Sequence, residues 1–231
     1  MRLTVFAAGT LAVTGAIAYL TYRSAQLLGE IEIPFNLMLS PVENLFRVLL
    51  LLLCIALGRL SGLPPARLGW AAPSPAFDIL LGLVLGIFIQ TVLHPITHWT
   101  VTHFGKQVYS PVVLLNILPE TRREWILVPL ALAPAALVEE LLFRSLLLGG
   151  LSVLAPAIIL AVGGSLLFGL MHAPQGALGI AATGVIGFVI SLVFLWRWTL
   201  LSVWVMHYTI NVLQLLRASW EREWLQQQWA A

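Results

Sequence analysis

The 52 residues from Ser145 to Trp196 contain no Asp, Glu, Lys or Arg, and this uncharged run constrains the fold more than any other feature. A membrane-spanning helix needs about 20 apolar residues, so the run is too long for a single crossing. Inside it, the sequence His172-Ala-Pro-Gln-Gly176 is typical of a turn. We therefore expect two membrane helices here, near residues 152–172 and 176–196.

The composition of the whole chain agrees with a membrane protein. Of the 231 residues, 60% are apolar and 10% are charged, whereas soluble domains carry about 25% charged residues. These values exclude a soluble domain and a disordered chain. The net charge of +2 is too small to indicate a nucleic-acid partner. The single Cys54 excludes an intrachain disulfide and leaves too little sulfur for a thiolate metal site.

Five further apolar segments are long enough to cross a bilayer, which brings the expected total to about seven helices. The segments are residues 3–22, 41–58, 77–97, 125–149 and 199–217. The first also fits a signal peptide, but its apolar stretch is long for one, so we interpret it as a retained helix. The proline-rich residues 59–76 predict a loop, and the charged residues 98–124 predict an extramembrane loop with an interfacial helix. The predicted fold class is all-α, a polytopic transmembrane helix bundle.

Three ionisable residues interrupt the helix predicted over 125–149. Glu139, Glu140 and Arg144 lie within six positions, and the apolar sequence continues beyond them. A charge at the centre of a membrane helix costs roughly 2.5–3.5 kcal/mol, so such residues usually have a function. Glu140 and Arg144 are four residues apart, which favours an ion pair. Glu139 is rotated about 100° from Glu140, so we expect it to face a polar cavity instead.

Two other apolar helices also contain polar residues at helical spacing. Phe168 and His172 are four residues apart at the end of the fifth predicted span, and His207 and Asn211 are four apart in the seventh. In lipid such groups must find one another or water, so we expect them to meet Glu139 at one internal site. A carboxylate with an imidazole can activate water, and a second imidazole with a carboxamide can stabilise an oxyanion. The set is suited to hydrolysis of an amide.

These three motifs, each in its own membrane helix and in this order, resemble those of the CAAX protease and bacteriocin-processing (CPBP) family of intramembrane proteases. The motifs are Glu139-Glu140-x-x-x-Arg144, Phe168-x-x-x-His172 and His207-x-x-x-Asn211. The family includes the eukaryotic Ras-converting CAAX endopeptidase and proteins similar to lysostaphin resistance protein A. The resemblance covers the last four predicted helices.

The resemblance implies a glutamate-dependent intramembrane endopeptidase. It implies that Glu139 activates water with help from His172, and that His207 and Asn211 stabilise the oxyanion. Glu140, Arg144 and Phe168 would then support the site, and no cofactor would be required. The chain divides accordingly into variable N-terminal helices and loops (1–124), a catalytic core (125–217) and an interfacial tail (218–231).

The expected partners are the lipid bilayer and a membrane-associated protein or peptide substrate, which the resemblance extends to prenylated CAAX-type proteins. We expect a multi-pass protein of the plasma membrane of a prokaryote. Lys and Arg are slightly more numerous on the side of the C-terminus, which favours a cytoplasmic C-terminus. The sequence indicates no oligomeric state.

Two alternatives remain open from the residues themselves. Glu139, His172 and His207 form a possible zinc ligand set, although no HExxH motif occurs. A non-catalytic immunity or chaperone-like membrane protein could also keep the polar cluster for structural reasons. We interpret two further groups of polar residues as interfacial: the pair Glu43 and Arg47, and the histidines His94, His98 and His103.

Overall fold

The structure is a computed structural model that describes residues 1–28 and 35–230. Within these ranges it contains helices and no strand, so the all-α prediction is confirmed. The helices are α1 (Arg2–Leu28), α2 (Pro41–Leu60), α3 (Pro75–Phe104), α4 (Val112–Ile117), α5 (Glu124–Glu140), α6 (Ala157–Leu170), α7 (Gly176–Arg197), α8 (Leu200–Trp220) and α9 (Arg222–Ala230). A π-helical segment, Leu141–Gly150, continues directly from α5.

Each of the seven expected membrane helices corresponds to a helix of the structure. Five of those described are long and apolar enough to cross a membrane: α1, α2, α3, α5 with its π segment, and α7 with the short turn before it. Helix α6 is apolar but has only 14 residues, and the polar residues of α8 lower its mean hydropathy. These helices and their exposed apolar surface make the chain an integral membrane protein.

Some observed boundaries differ from the expected ones. Helix α3 runs to Phe104 rather than ending near residue 97, so the connection to α5 is shorter than residues 98–124. The expected interfacial helix in that connection corresponds to α4. The tail is helical, and Ala231 lies outside the described residues. A further difference is the π segment, which apolar periodicity did not predict because all ten of its residues are buried.

Helix α8 carries His207 into the centre of the bundle, and its closest partner is α3. Two glycines of α3 allow the two backbones to approach. A Cβ at Gly82 would lie 2.6 Å from the Ser202 carbonyl oxygen, and one at Gly86 would lie 2.7 Å from the Thr209 Cβ. Small residues at helix interfaces in membranes permit such contacts. The remaining surface of α8 packs mainly on α5 and α7.

The turn between α6 and α7 is held against the connection that precedes α4. Gly176 has a φ of +81°, a conformation that favours glycine. Its Cα faces the Val108 carbonyl oxygen, which accepts a hydrogen bond of 2.8 Å from the Leu178 N–H. The Ser110 N–H donates to the Gln175 carbonyl oxygen at 3.0 Å. These contacts fix the turn that contains His172.

Candidate active site

Glu140 connects three of the candidate residues. Its Oε1 accepts a hydrogen bond of 2.6 Å from His207 Nδ1 and one of 3.1 Å from Arg144. Its side chain is fully buried, as expected for a carboxylate that is paired on two sides. A carboxylate only accepts hydrogen bonds, so the Nδ1 of His207 carries the proton. Glu140 thus orients the His207 ring so that its Nε2 points away from Glu140.

Arg144 ties this carboxylate to α7 and to the aromatic ring of α6. Its Nη2 donates a hydrogen bond of 2.8 Å to the Gly187 carbonyl oxygen. The guanidinium carbon lies 4.9 Å from the centroid of the Phe168 ring, within cation–π range. The pairing of Glu140 with Arg144, which the four-residue spacing predicted, is present. The contact with Gly187 was not foreseen, because nothing in a sequence identifies which backbone carbonyl a buried arginine will reach.

Glu139 approaches the other nitrogen of the same imidazole. Its Oε2 lies 3.7 Å from His207 Nε2, and its side chain is 39% exposed. The two adjacent carboxylates therefore contact opposite edges of the His207 ring, whereas the rotation of about 100° between them predicted that they would face different partners. Trp204, one turn before His207, donates a hydrogen bond of 2.8 Å to the Ala133 carbonyl oxygen and fixes α8 against α5.

Phe168 lies between the two histidines. Its ring is 4.8 Å from the ring of His172 and 5.9 Å, edge to face, from that of His207. His172 Nδ1 lies 2.7 Å from the Phe168 carbonyl oxygen, which can only accept, so this nitrogen is also protonated. In neutral His172 the free lone pair is consequently on Nε2. That nitrogen is available as a hydrogen-bond acceptor.

A cavity of about 150 Å³ adjoins these residues and extends toward α9. His172, His207 and Asn211 line its inner end, and the volume holds several water molecules. Glu139 is not among the lining residues, which differs from the expectation that it faces a polar cavity. The lining also includes Gln90 of α3 and Gln214 of α8, two residues that our sequence analysis did not consider. Their signal was available, since both are amides within predicted membrane helices.

The outer end of the cavity is formed by the histidines of α3 and by the C-terminal helix. His94 Nε2 lies 3.2 Å from Glu221 Oε1, and the His98 ring stacks on Trp224 at 4.4 Å. Tyr109 also lines the cavity, and burial raises the pKa of its hydroxyl to about 12. Tyr109 therefore remains a neutral hydrogen-bond donor at physiological pH.

Within residues 1–28 and 35–230, no group of three or more His, Cys, Asp or Glu side chains is arranged to hold a metal ion. Ser145 and Ser165 both make structural hydrogen bonds. The Ser145 hydroxyl accepts from the Trp70 indole at 2.8 Å, and the Ser165 hydroxyl donates to the Ala161 carbonyl oxygen at 2.6 Å.

Comparison with protein families gives a match to the helical core. Residues 121–213 match the family described as type II CAAX prenyl endopeptidase Rce1-like. This region contains all three motifs, and it confirms the resemblance that the motifs indicated. The helical core of the chain is therefore similar to this family of membrane proteases. Comparisons with curated proteins and with solved structures give no match.

Proposed function

We propose that the protein is an intramembrane endopeptidase in which Glu139 activates the hydrolytic water. The observation that carries the proposal is the contact of two adjacent carboxylates with opposite edges of one buried imidazole. Glu140 is buried and paired, so it serves to orient His207. Glu139 is partly exposed and close to His207, which suits a group that must meet water and substrate.

In this mechanism Glu139 removes a proton from water while the water oxygen bonds to the carbonyl carbon of the scissile peptide. Nε2 of His172, which carries a lone pair, accepts a hydrogen bond from the same water and orients it. The proton then passes from Glu139 to the departing amine nitrogen as the carbon–nitrogen bond breaks. One water is consumed, and the products are a carboxylic acid and an amine.

The negative charge that develops on the carbonyl oxygen must be stabilised by hydrogen-bond donors. His207 already donates from Nδ1 to Glu140, so it donates from Nε2 only as the imidazolium. The carboxylates on both sides of the ring balance that positive charge. Asn211 lies one turn further along α8 and lines the same cavity, and its amide supplies a second donor. Donors fixed before the reaction stabilise an oxyanion more effectively than mobile ones.

The proposed substrates are membrane-associated proteins or peptides, in the plasma membrane of a prokaryote. The matched family acts on prenylated CAAX proteins, so a prenylated CAAX peptide is the first substrate to test. An unprenylated peptide of the same sequence is its control. Cleavage of the prenylated peptide alone supports specificity for prenylated CAAX substrates, and equal cleavage of both peptides contradicts a requirement for the prenyl group.

The decisive experiment compares the protein with its Glu139→Gln variant in proteoliposomes. The substitution keeps the shape of the side chain and removes the base, so we expect the cleavage rate to fall about 10²-fold or more. Glu124→Gln is the matched control, because it makes the same change at the beginning of the same helix. Unchanged peptide termini in cells that carry the intact protein or the Glu139→Gln variant would instead favour a non-catalytic membrane protein.

A further inference from the structure

Arg217, in the last turn of α8, is a positive charge on the wall of the cavity that reaches the candidate active site. It lines this cavity together with His172, His207 and Asn211. Arginine keeps its charge at physiological pH and prefers carboxylate or phosphate partners. In the described part of the chain, however, Arg217 forms no ion pair. The cavity therefore contains a cation for which the described residues supply no counter-ion.

The expected partner of Arg217 is engaged elsewhere. Glu221 follows Arg217 by four residues, a spacing that favours an ion pair on a helix. The Glu221 Oε1 instead lies 3.2 Å from His94 Nε2. Arg217 donates from Nη1 to the Gln90 carbonyl oxygen at 2.8 Å. A guanidinium has five N–H donors, so this hydrogen bond leaves most of them for another partner.

The hydrogen bond to Gln90 indicates how far the guanidinium lies from the candidate active site. Helices α3 and α8 run side by side in the same direction, with Gly86 against Thr209. Gln90 is one turn beyond Gly86, so its carbonyl oxygen is roughly level with residues 210–213 of α8. His207 is then about 5–9 Å away along the helix axis, at about 1.5 Å per residue. Two or three extended residues span that distance, at about 3.3 Å each.

The surroundings of Arg217 suit the free end of a peptide. Gln214 lies one turn before Arg217 on α8, and both Gln214 and Gln90 line the cavity, so their amides can add neutral donors. Every peptide carries a carboxylate at its C-terminus, whatever its sequence. In a membrane-associated substrate with mainly apolar side chains, this carboxylate is the anion that needs a partner.

We propose that Arg217 is a specificity-determining residue that binds the C-terminal carboxylate of the peptide substrate. This inference deepens the proposed function and rests on it. The bound carboxylate places the peptide bond two or three residues before the chain end beside Glu139 and His207. Arg217 lies outside residues 121–213, which match the protease family, so the family match does not assign this role.

The test uses two forms of the prenylated CAAX peptide, one with a free C-terminal carboxylate and one with a C-terminal amide. In proteoliposomes, we expect kcat/KM to be about 10-fold or more higher for the acid, because hydrogen bonds to charged groups are strong. In Arg217→Gln the ratio of the two values should fall to about one. Arg217→Lys should keep part of the preference, since it keeps the charge but not the planar donor geometry.

Arg222→Gln is the matched control. It removes the same charge five residues further on, and Arg222 does not line the cavity. The preference for the acid should therefore remain. A variant that merely folds poorly lowers both rates and leaves their ratio as it is. Equal cleavage of acid and amide by the unmodified protein, or a ratio that Arg217→Gln does not change, would overturn the inference. An amidated peptide that ends in aspartate and is cleaved as fast as the acid would also overturn recognition of the chain end.

A binding measurement separates this inference from the proposed function. The Glu139→Gln protein in lipid nanodiscs is titrated with the same acid and amide peptides. The acid should bind about 10-fold more tightly, and the double variant Glu139→Gln/Arg217→Gln should bind both peptides equally. If the unmodified protein cleaves neither peptide, the proposed function fails, whereas the difference in affinity still decides whether Arg217 binds the carboxylate.

Discussion

Replacing Arg144 with methionine tests how much the buried network of Arg144, Glu140 and His207 contributes to the stability of the protein. Arg144 is 1% exposed and contacts Glu140 Oε1, the Gly187 carbonyl oxygen and the face of Phe168. Methionine keeps much of the side-chain length and removes all of the charge. Glu140 then remains fully buried with His207 as its one strong partner among the described residues.

Breaking a buried ion pair by removing one partner costs about 3–5 kcal/mol, because the remaining charge is uncompensated. We expect Arg144→Met to lower the free energy of unfolding by that amount. The double variant Glu140→Gln/Arg144→Met removes both charges. We therefore expect the double variant to be more stable than Arg144→Met, by about 1–3 kcal/mol.

The single cysteine provides the assay. Cys54 is fully buried between α2 and the core, so a thiol-reactive fluorescent dye labels it when the bundle opens. At roughly 2–4 °C per kcal/mol for a chain of this size, Arg144→Met should lower the melting temperature by about 10 °C. A decrease in the melting temperature of less than 2 °C, or a double variant less stable than Arg144→Met, would refute the conclusion that the charges of Glu140 and Arg144 stabilise each other.

Three further predictions address packing, a second ion pair and metal dependence. A Cβ at Gly169 would lie 2.6 Å from the Ile180 carbonyl oxygen, so Gly169→Ala should destabilise the protein by about 1–3 kcal/mol. Gly163→Ala is the control, because no atom lies within 4 Å of a Cβ there, and it should not destabilise the protein. Asp78 is fully buried and accepts a hydrogen bond of 3.0 Å from Arg197. Asp78→Asn should therefore lower the melting temperature in the same dye assay. Arg59→Gln, at an exposed position, should leave the melting temperature unchanged. Exhaustive chelation of metal ions should leave the peptidase activity intact. Loss of activity that zinc restores would contradict a reaction in which Glu139 activates water without a metal ion.

The sequence predicts the helices well because membrane helices are specified by the length of apolar runs. The uncharged run from Ser145 to Trp196 required a turn, and the turn occurs at Ala173–Gln175. The contact between Glu140 and Arg144 followed from spacing along one helix. Predictions of this kind need only local geometry.

The remaining features depend on contacts between helices. No periodicity distinguishes a π segment from an α-helix when every residue of the segment is buried, as in Leu141–Gly150. The sharing of Glu140 between Arg144 and His207 depends on the rotation of α8 against α5.

The C-terminal helix has a consequence for access to the interior. Trp224 and Leu225 form part of the wall of the cavity that ends at His172 and His207. The stacking of Trp224 on His98 connects this wall to α3. Removal of α9 would therefore take away one side of the cavity and expose more of its interior to solvent.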